Sequence, residues 1–160
     1  MKFTRKAILL VTLTIYLAVL AQQILLKHFS INMLIDHLTF NSEQAFYTYP
    51  NFVPFKTIGF YLFLADINLN IRIENLAGNI IGFMPFGFLL PFLFKSLLSF
   101  KKIILLTFCL SLGFEMLQLI FNLGSFDVDD LILNTLGGML GYIPVLLYKK
   151  YIRKEELVTN

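Results

Sequence analysis

Asn75-Leu-Ala-Gly-Asn-Ile-Ile-Gly-Phe-Met-Pro-Phe-Gly-Phe-Leu-Leu-Pro91 is apolar enough to enter a membrane, yet it sets two asparagines, Asn75 and Asn79, one helical turn apart. Polar side chains are costly in hydrocarbon, so they face a protein interior or a wet cavity there. The same contradiction recurs at Glu115 and Gln118, and again at Asp130 and Asn134. Three helices that each carry such a pair predict one shared polar pocket inside a membrane bundle.

Composition supports the bundle. The 160 residues are 58% hydrophobic and 14% charged, with 18 Phe and a mean hydropathy of +0.76. A soluble domain sits nearer half apolar and a quarter charged, so soluble and disordered classes are both excluded. A span takes about 20 mostly apolar residues. Windows of that kind lie at Ala7 to Leu26, Leu76 to Phe94, Ile103 to Phe121 and Leu131 to Tyr148. The second qualifies if neighbouring helices tolerate its Asn, Gly and Pro. These unbroken runs are unlike the short alternating segments of a β-barrel. The expected fold is all-α: one membrane domain over residues 1–160, four transmembrane helices and one long aromatic-rich outer loop.

Basic residues orient it. Lys2, Arg5 and Lys6 precede the first span, Lys95, Lys101 and Lys102 separate the second and third, and Lys149, Lys150, Arg153 and Lys154 follow the fourth. Ten of the 13 Lys/Arg thus fall on one side, against Lys27, Lys56 and Arg72 on the other. The positive-inside rule then puts both termini in the cytoplasm of a multi-pass protein. The net charge of +3 is a topology signal, and no nucleic-acid partner is expected. Val19-Leu-Ala21 could serve as a signal-cleavage site, but the apolar run continues to Leu26 without Pro or Gly, so a retained helix is expected. Cys109 is a lone cysteine, and no Cys/His set suggests a metal; neither metal nor cofactor is expected.

Residues 27–74 form the outer loop. Its aromatics, among them Phe40, Phe46, Tyr47, Tyr49, Phe52, Phe55, Phe60 and Phe63, suit the headgroup region. Pro50 and Pro54 break Tyr49 to Lys56 into an extended stretch. Ile58 to Leu64 is too short to span and lies along the surface or dips in, as an anchor or as a lid over the pocket. In the second span Pro85 should kink the helix. Gly78-x-x-x-Gly82 there, with Gly137, Gly138 and Gly141 in the fourth, offers thin faces through which those helices can pack.

In this orientation Asn75, Asn79, Glu115, Gln118, Asp127, Asp129, Asp130 and Asn134 share one depth in the outer leaflet. With a 1.5 Å rise per residue, Glu115 lies only about 9 Å below its helix end. Each set occupies one face of its helix at i, i+3 or i+4 spacing. All eight are candidate ligand-binding residues, and none is assigned a catalytic role. Blander tasks compete: Asn79 and Asn134 can bridge helices, and Asp127 and Asp129 can cap the fourth span. A membrane carboxyl such as Glu115 needs a partner or a proton; Arg72 is the nearest outer cation in sequence.

The ordered set Asn75-x-x-Gly-Asn79-x-x-x-Phe83-x-Pro85-x-Gly87-x-x-x-Pro91, Glu115-x-x-Gln118 and Asp127-x-Asp129-Asp130-x-x-x-Asn134-Thr135-x-Gly137-Gly138 resembles the VanZ-like family. Asn51-Phe-Val-Pro54-Phe55-Lys-Thr57-Ile58 is similar to that family's Pro-Phe element, and the likeness runs from about residue 50 to 145. The resemblance implies a bacterial cell-membrane protein, linked in its namesake to resistance against teicoplanin-type lipoglycopeptides. Many members carry an Arg just before the Asp-x-Asp-Asp run, where this chain has Asn122-Leu-Gly-Ser-Phe.

Three functions fit. The favoured one is binding or handling a cell-envelope amphiphile in the outer leaflet, with membrane lipids or a lipid-linked envelope component as partner and a homo-oligomer as a conceivable assembly. A second is an enzyme acting on a lipid-linked cell-wall intermediate through Glu115 and Asp130, clustered carboxyls suited to acid–base work. Against it, no nucleophile–His pair is present; His28 and His37 both lie near the start of the outer loop. The third is a structural or assembly subunit whose polar groups stitch the bundle.

Overall fold

The computed structural model describes residues 2–26, 49–64 and 68–158. Its helices are α1 (Lys2–Leu25), α2 (Lys56–Gly59), α3 (Leu69–Leu93), α4 (Phe100–Ile120) and α5 (Val128–Val158). A π-helical turn, Phe60–Leu64, extends α2, and a 3-10 turn, Lys95–Leu97, joins α3 to α4. The four long helices are each long and apolar enough to cross a membrane. The all-α, four-span architecture read from the sequence is therefore the one the chain adopts.

One boundary differs from expectation. α3 starts at Leu69 rather than near Asn75, because the Asn68 side chain accepts the Asn70 N–H at 2.9 Å and caps the helix there. The last residues assigned to the outer loop, 69–74, are thus the first turns of α3. Further along, α3 runs through Pro85 and Pro91 as one assigned helix. The Gly82 carbonyl, one turn before Pro85, accepts the Tyr16 hydroxyl of α1 at 2.7 Å. Of the loop, Lys27, His28, His37, Phe40, Phe46 and Tyr47 lie outside the described residues.

The bundle is inside-out relative to a soluble one. The buried stripe of α4 is Ile103, Thr107, Ser111, Phe114, Glu115 and Gln118, a 3.6-residue period in which four of six side chains are polar. Leu105, Leu117 and Ile120 point outward instead, where a lipid chain costs them nothing. Two apolar clusters hold the helices together. Phe86, Leu90, Ile103, Tyr142 and Val145 form one; Leu20, Phe83 and Phe114 form the other, with Phe83 and Phe114 edge-to-face at 6.4 Å. α1 is the least enclosed helix, its Ile8, Val11, Ile15 and Val19 all exposed.

Among the described residues, α3 and α5 make the most extensive contact. Their pairing through Gly137, Gly138 and Gly141 was expected; the face of α3 that meets them is corrected. A β-carbon on Gly137 would overlap the Ile80 carbonyl oxygen, one on Gly141 that of Met84, and one on Gly87 that of Gly138. Gly78 has nothing within 4 Å, and Gly82 meets only Leu20 of α1 at 3.5 Å. The Gly78-x-x-x-Gly82 face is rotated away from α5, because Ile80, Met84 and Gly87 occupy the side of α3 that touches it.

Candidate functional site

A pair of aspartates ties the outer loop to the start of α5. Asn51 and Asp127 form an isolated parallel bridge, with Asn51 N–H donating to the Phe126 carbonyl at 2.7 Å and Val128 N–H to the Asn51 carbonyl at 3.0 Å. Asp127 caps α5: its Oδ1 accepts the Asp129 N–H at 2.9 Å. The same Oδ1 takes the Asn51 Nδ2 at 2.9 Å, and Oδ2 takes the Thr57 hydroxyl at 2.5 Å. Asp129, fully buried, reaches the other way. Its Oδ1 accepts the Phe55 N–H at 2.5 Å, and its Oδ2 accepts those of Thr57 at 2.7 Å and Ile58 at 3.0 Å. These bonds hold Phe55 in the left-handed region at φ 65, a conformation a non-glycine residue adopts at some cost.

Glu115 closes the network from below. It is 1% exposed, and its Oε2 accepts the Asp127 N–H at 2.8 Å. The turn between α4 and α5 makes this possible. Asn122 sits at φ 50 just past the end of α4, and Leu123 N–H returns to the Gln118 carbonyl at 2.9 Å, a Schellman closure with asparagine in the glycine position. Phe126 stacks obliquely on Phe52 at 5.2 Å, and the Ser125 hydroxyl donates to the Tyr49 carbonyl at 2.8 Å.

Beside this staple lies a cavity of about 560 Å³, walled by α1, α3 and the start of α5. Its polar lining includes Gln23, Glu74, Asn75, Asn79, Gln118 and Asp130. Asn79 Nδ2 donates to Asp130 Oδ1 at 2.5 Å, joining α3 to α5 within the lining. Gln118 Nε2 donates to the Ile24 carbonyl at 3.1 Å, joining α4 to α1. The lining changes with depth. Along α3 it passes from Glu74, Asn75 and Asn79 to Ile81, Phe83 and Pro85, while α1 contributes Ile24, Gln23, Leu20, Val19 and Tyr16. Glu74 and Pro85 are eleven positions apart on α3, about 16 Å of helix axis.

The eight residues singled out in the sequence therefore fall into two tiers. Asn75, Asn79, Gln118, Asp127 and Asp130 line the cavity. Glu115, Asp129 and Asn134 are buried outside that lining, with Asn134 Nδ2 donating to the Ser111 hydroxyl at 2.8 Å. Arg72 donates to the Leu62 carbonyl at 3.2 Å at the head of α3. Sequence reasoning passed over Tyr16, Gln23 and Glu74, and quoted Asn51 and Thr57 only as part of the Pro-Phe element. Tyr16, Leu20 and Gln23 follow i, i+4, i+7 on α1, so a polar residue at each end of one stripe was the available signal. Among the described residues no group of three or more His, Cys, Asp and Glu is placed to hold a metal ion.

A family model described as VanZ/LLP1 matches residues 4–149, nearly the whole chain. The chain belongs to the VanZ/LLP1 family. Protein VanZ of Enterococcus faecium is 38% identical to it over 84 residues, covering 52% of this chain and 52% of that protein. The match thus spans about half the length of the curated relative. No solved structure matches the chain. Family membership confirms the resemblance drawn from the Asn75–Pro91, Glu115–Gln118 and Asp127–Gly138 motifs, and the aspartate staple and the cavity are built largely from those motif residues.

Proposed function

We propose that this VanZ/LLP1 family member binds a cell-envelope amphiphile, its headgroup among Asn75, Asn79, Gln118, Asp127 and Asp130 and its chain against the apolar wall between α1 and α3. The observation that carries this reading is the change along α3 in one cavity's lining, from Glu74, Asn75 and Asn79 at the loop end to Ile81, Phe83 and Pro85 toward the bundle middle. A polar head needs hydrogen-bond partners, and its chain gains nothing by leaving hydrocarbon unless an apolar wall replaces it. In this reading the loop end faces outward, both termini are cytoplasmic, and the amphiphile comes from the outer leaflet of a bacterial membrane. Asp129 and Glu115 hold the site rather than contact the ligand, since their oxygens meet backbone N–H groups of the staple. By family likeness, the consequence of binding is protection against teicoplanin-type lipoglycopeptides.

Gly78 gives a clean test. It lines the cavity, and a β-carbon there meets nothing within 4 Å, so Gly78→Leu fills the space without disturbing helix contacts. Mass spectrometry of lipid extracts from purified protein should find an amphiphile with the wild type and severalfold less with Gly78→Leu, at unchanged thermal stability. Equal lipid in both proteins overturns the reading.

A further inference from the structure

We infer that the cavity opens sideways into the bilayer through a slot between α1 and α3, and that the chain of a membrane lipid enters and leaves by this slot. This rests on the amphiphile reading and adds its route. Glu74, Gly78, Ile81 and Pro85 recur at i, i+4, i+7 and i+11, so they form one stripe of α3. Val19 and Gln23, at i and i+4, form the facing edge of α1. All six line the cavity, and all six are exposed. A side chain enclosed in a cleft does not show half its surface, so Val19 at 51% and Ile81 at 62% stand on an open rim. Both belong to helices long and apolar enough to cross a membrane, and what meets them there is lipid.

The two ways into the cavity differ in what must be broken. At the loop end Thr57, part of the lining, gives its N–H to Asp129 and its hydroxyl to Asp127. Hydrogen bonds to carboxylates are among the stronger ones. Along the slot, α1 meets α3 through a side chain, Leu20 against Gly82. Its Tyr16 hydroxyl also clasps the Gly82 carbonyl, and its Ile24 carbonyl takes the Gln118 amide. α3 and α5 are instead interlocked backbone to backbone. α1 is therefore the wall that yields. A lipid chain sliding from the bilayer past Val19 and Ile81 never meets water, so the passage exposes no apolar surface. Gln23 and Glu74, on the same rims nearer the loop, offer hydrogen bonds to a headgroup travelling with it.

Exchange of the bound amphiphile tests the route. In a Cys109→Ala background, Val19→Cys with Ile81→Cys puts a thiol on each rim, and a bifunctional maleimide bridges the slot. The purified, loaded protein is mixed with vesicles made from the total lipids of host cells grown in deuterated medium. Mass spectrometry then follows replacement of the bound amphiphile by its deuterated form. Bridging should trap the unlabelled amphiphile and slow exchange severalfold against the same variant unbridged. A bridge between Phe52→Cys and Phe126→Cys, where the native rings lie 5.2 Å apart, ties the loop to the turn before α5 and should leave exchange unchanged. Tyr16→Phe removes a clasp of α1 and should speed exchange severalfold; an unchanged rate removes α1 as the moving wall. Exchange that survives the slot bridge, or that the loop bridge slows as much, overturns the lateral route and leaves the amphiphile reading standing. If the wild type carries no more amphiphile than Gly78→Leu, the amphiphile reading itself fails.

Discussion

At the scale of single residues, Asp129 is the side chain with the most to lose. It is fully buried, in the first turn of α5, and three backbone N–H groups of the loop converge on its two oxygens. A carboxylate near a helix N-terminus is favoured by the helix dipole, and here it also fixes Phe55 in its left-handed turn. Asparagine at this position would offer one acceptor and turn an NH2 toward donors. Asp129→Asn should therefore cost about 2–3 kcal/mol, read as a fall in Tm of roughly 4–12 °C at this chain length. It should also speed hydrogen exchange at the Phe55, Thr57 and Ile58 amides. Asp127→Asn is milder, within about 1 kcal/mol, because asparagine caps a helix as well as aspartate does. Its Nδ2 can still meet the Thr57 oxygen. Equal losses from the two variants would contradict this division of labour.

Among the elements, the α3–α5 pair decides whether the cavity exists at all, since one wall stands on each helix. Their approach is limited by backbone, and backbone cannot rotate aside. Gly141→Ala drives a methyl into the Met84 carbonyl and Gly137→Ala into that of Ile80. Each should destabilise the protein by about 1–3 kcal/mol. Gly78→Ala enters open space and gains helix propensity, so it should be neutral or stabilising by up to about 1 kcal/mol. Thermal unfolding in detergent checks both. A Gly78 variant as damaging as Gly141→Ala would restore Gly78-x-x-x-Gly82 as the packing face.

At the scale of the whole molecule, Lys101, Lys102, Lys149 and Lys150 lie at the bundle end opposite the aspartate staple. In the proposed orientation, which follows the positive-inside rule, that end faces the cytoplasm. In a Cys109→Ala background, a cysteine at Tyr49 should react with an impermeant thiol reagent on intact cells, and one at Ser96 only after permeabilisation. Both positions are exposed. The opposite labelling would invert the protein and place the cavity in the inner leaflet.

How much of this was legible beforehand follows from the range of each interaction. The four spans, their order and the gathering of ten basic residues at one end are properties of local runs, and the bilayer as solvent makes such runs decisive. The polar stripe on α4 was legible for the same reason: in hydrocarbon, a Glu and a Gln three residues apart turn inward together. Which glycines touch, which acids face the cavity and which hold the loop were not legible. Asp129 meets Phe55 across 74 positions, and Asn79 meets Asp130 across 51. Helical periodicity places each of these residues on a face, but the rotation of one helix against another is set by how far backbones can close. Only the packing of Gly137 and Gly141 against α3 fixed that rotation. With it came the division of the polar residues between a cavity wall and a staple.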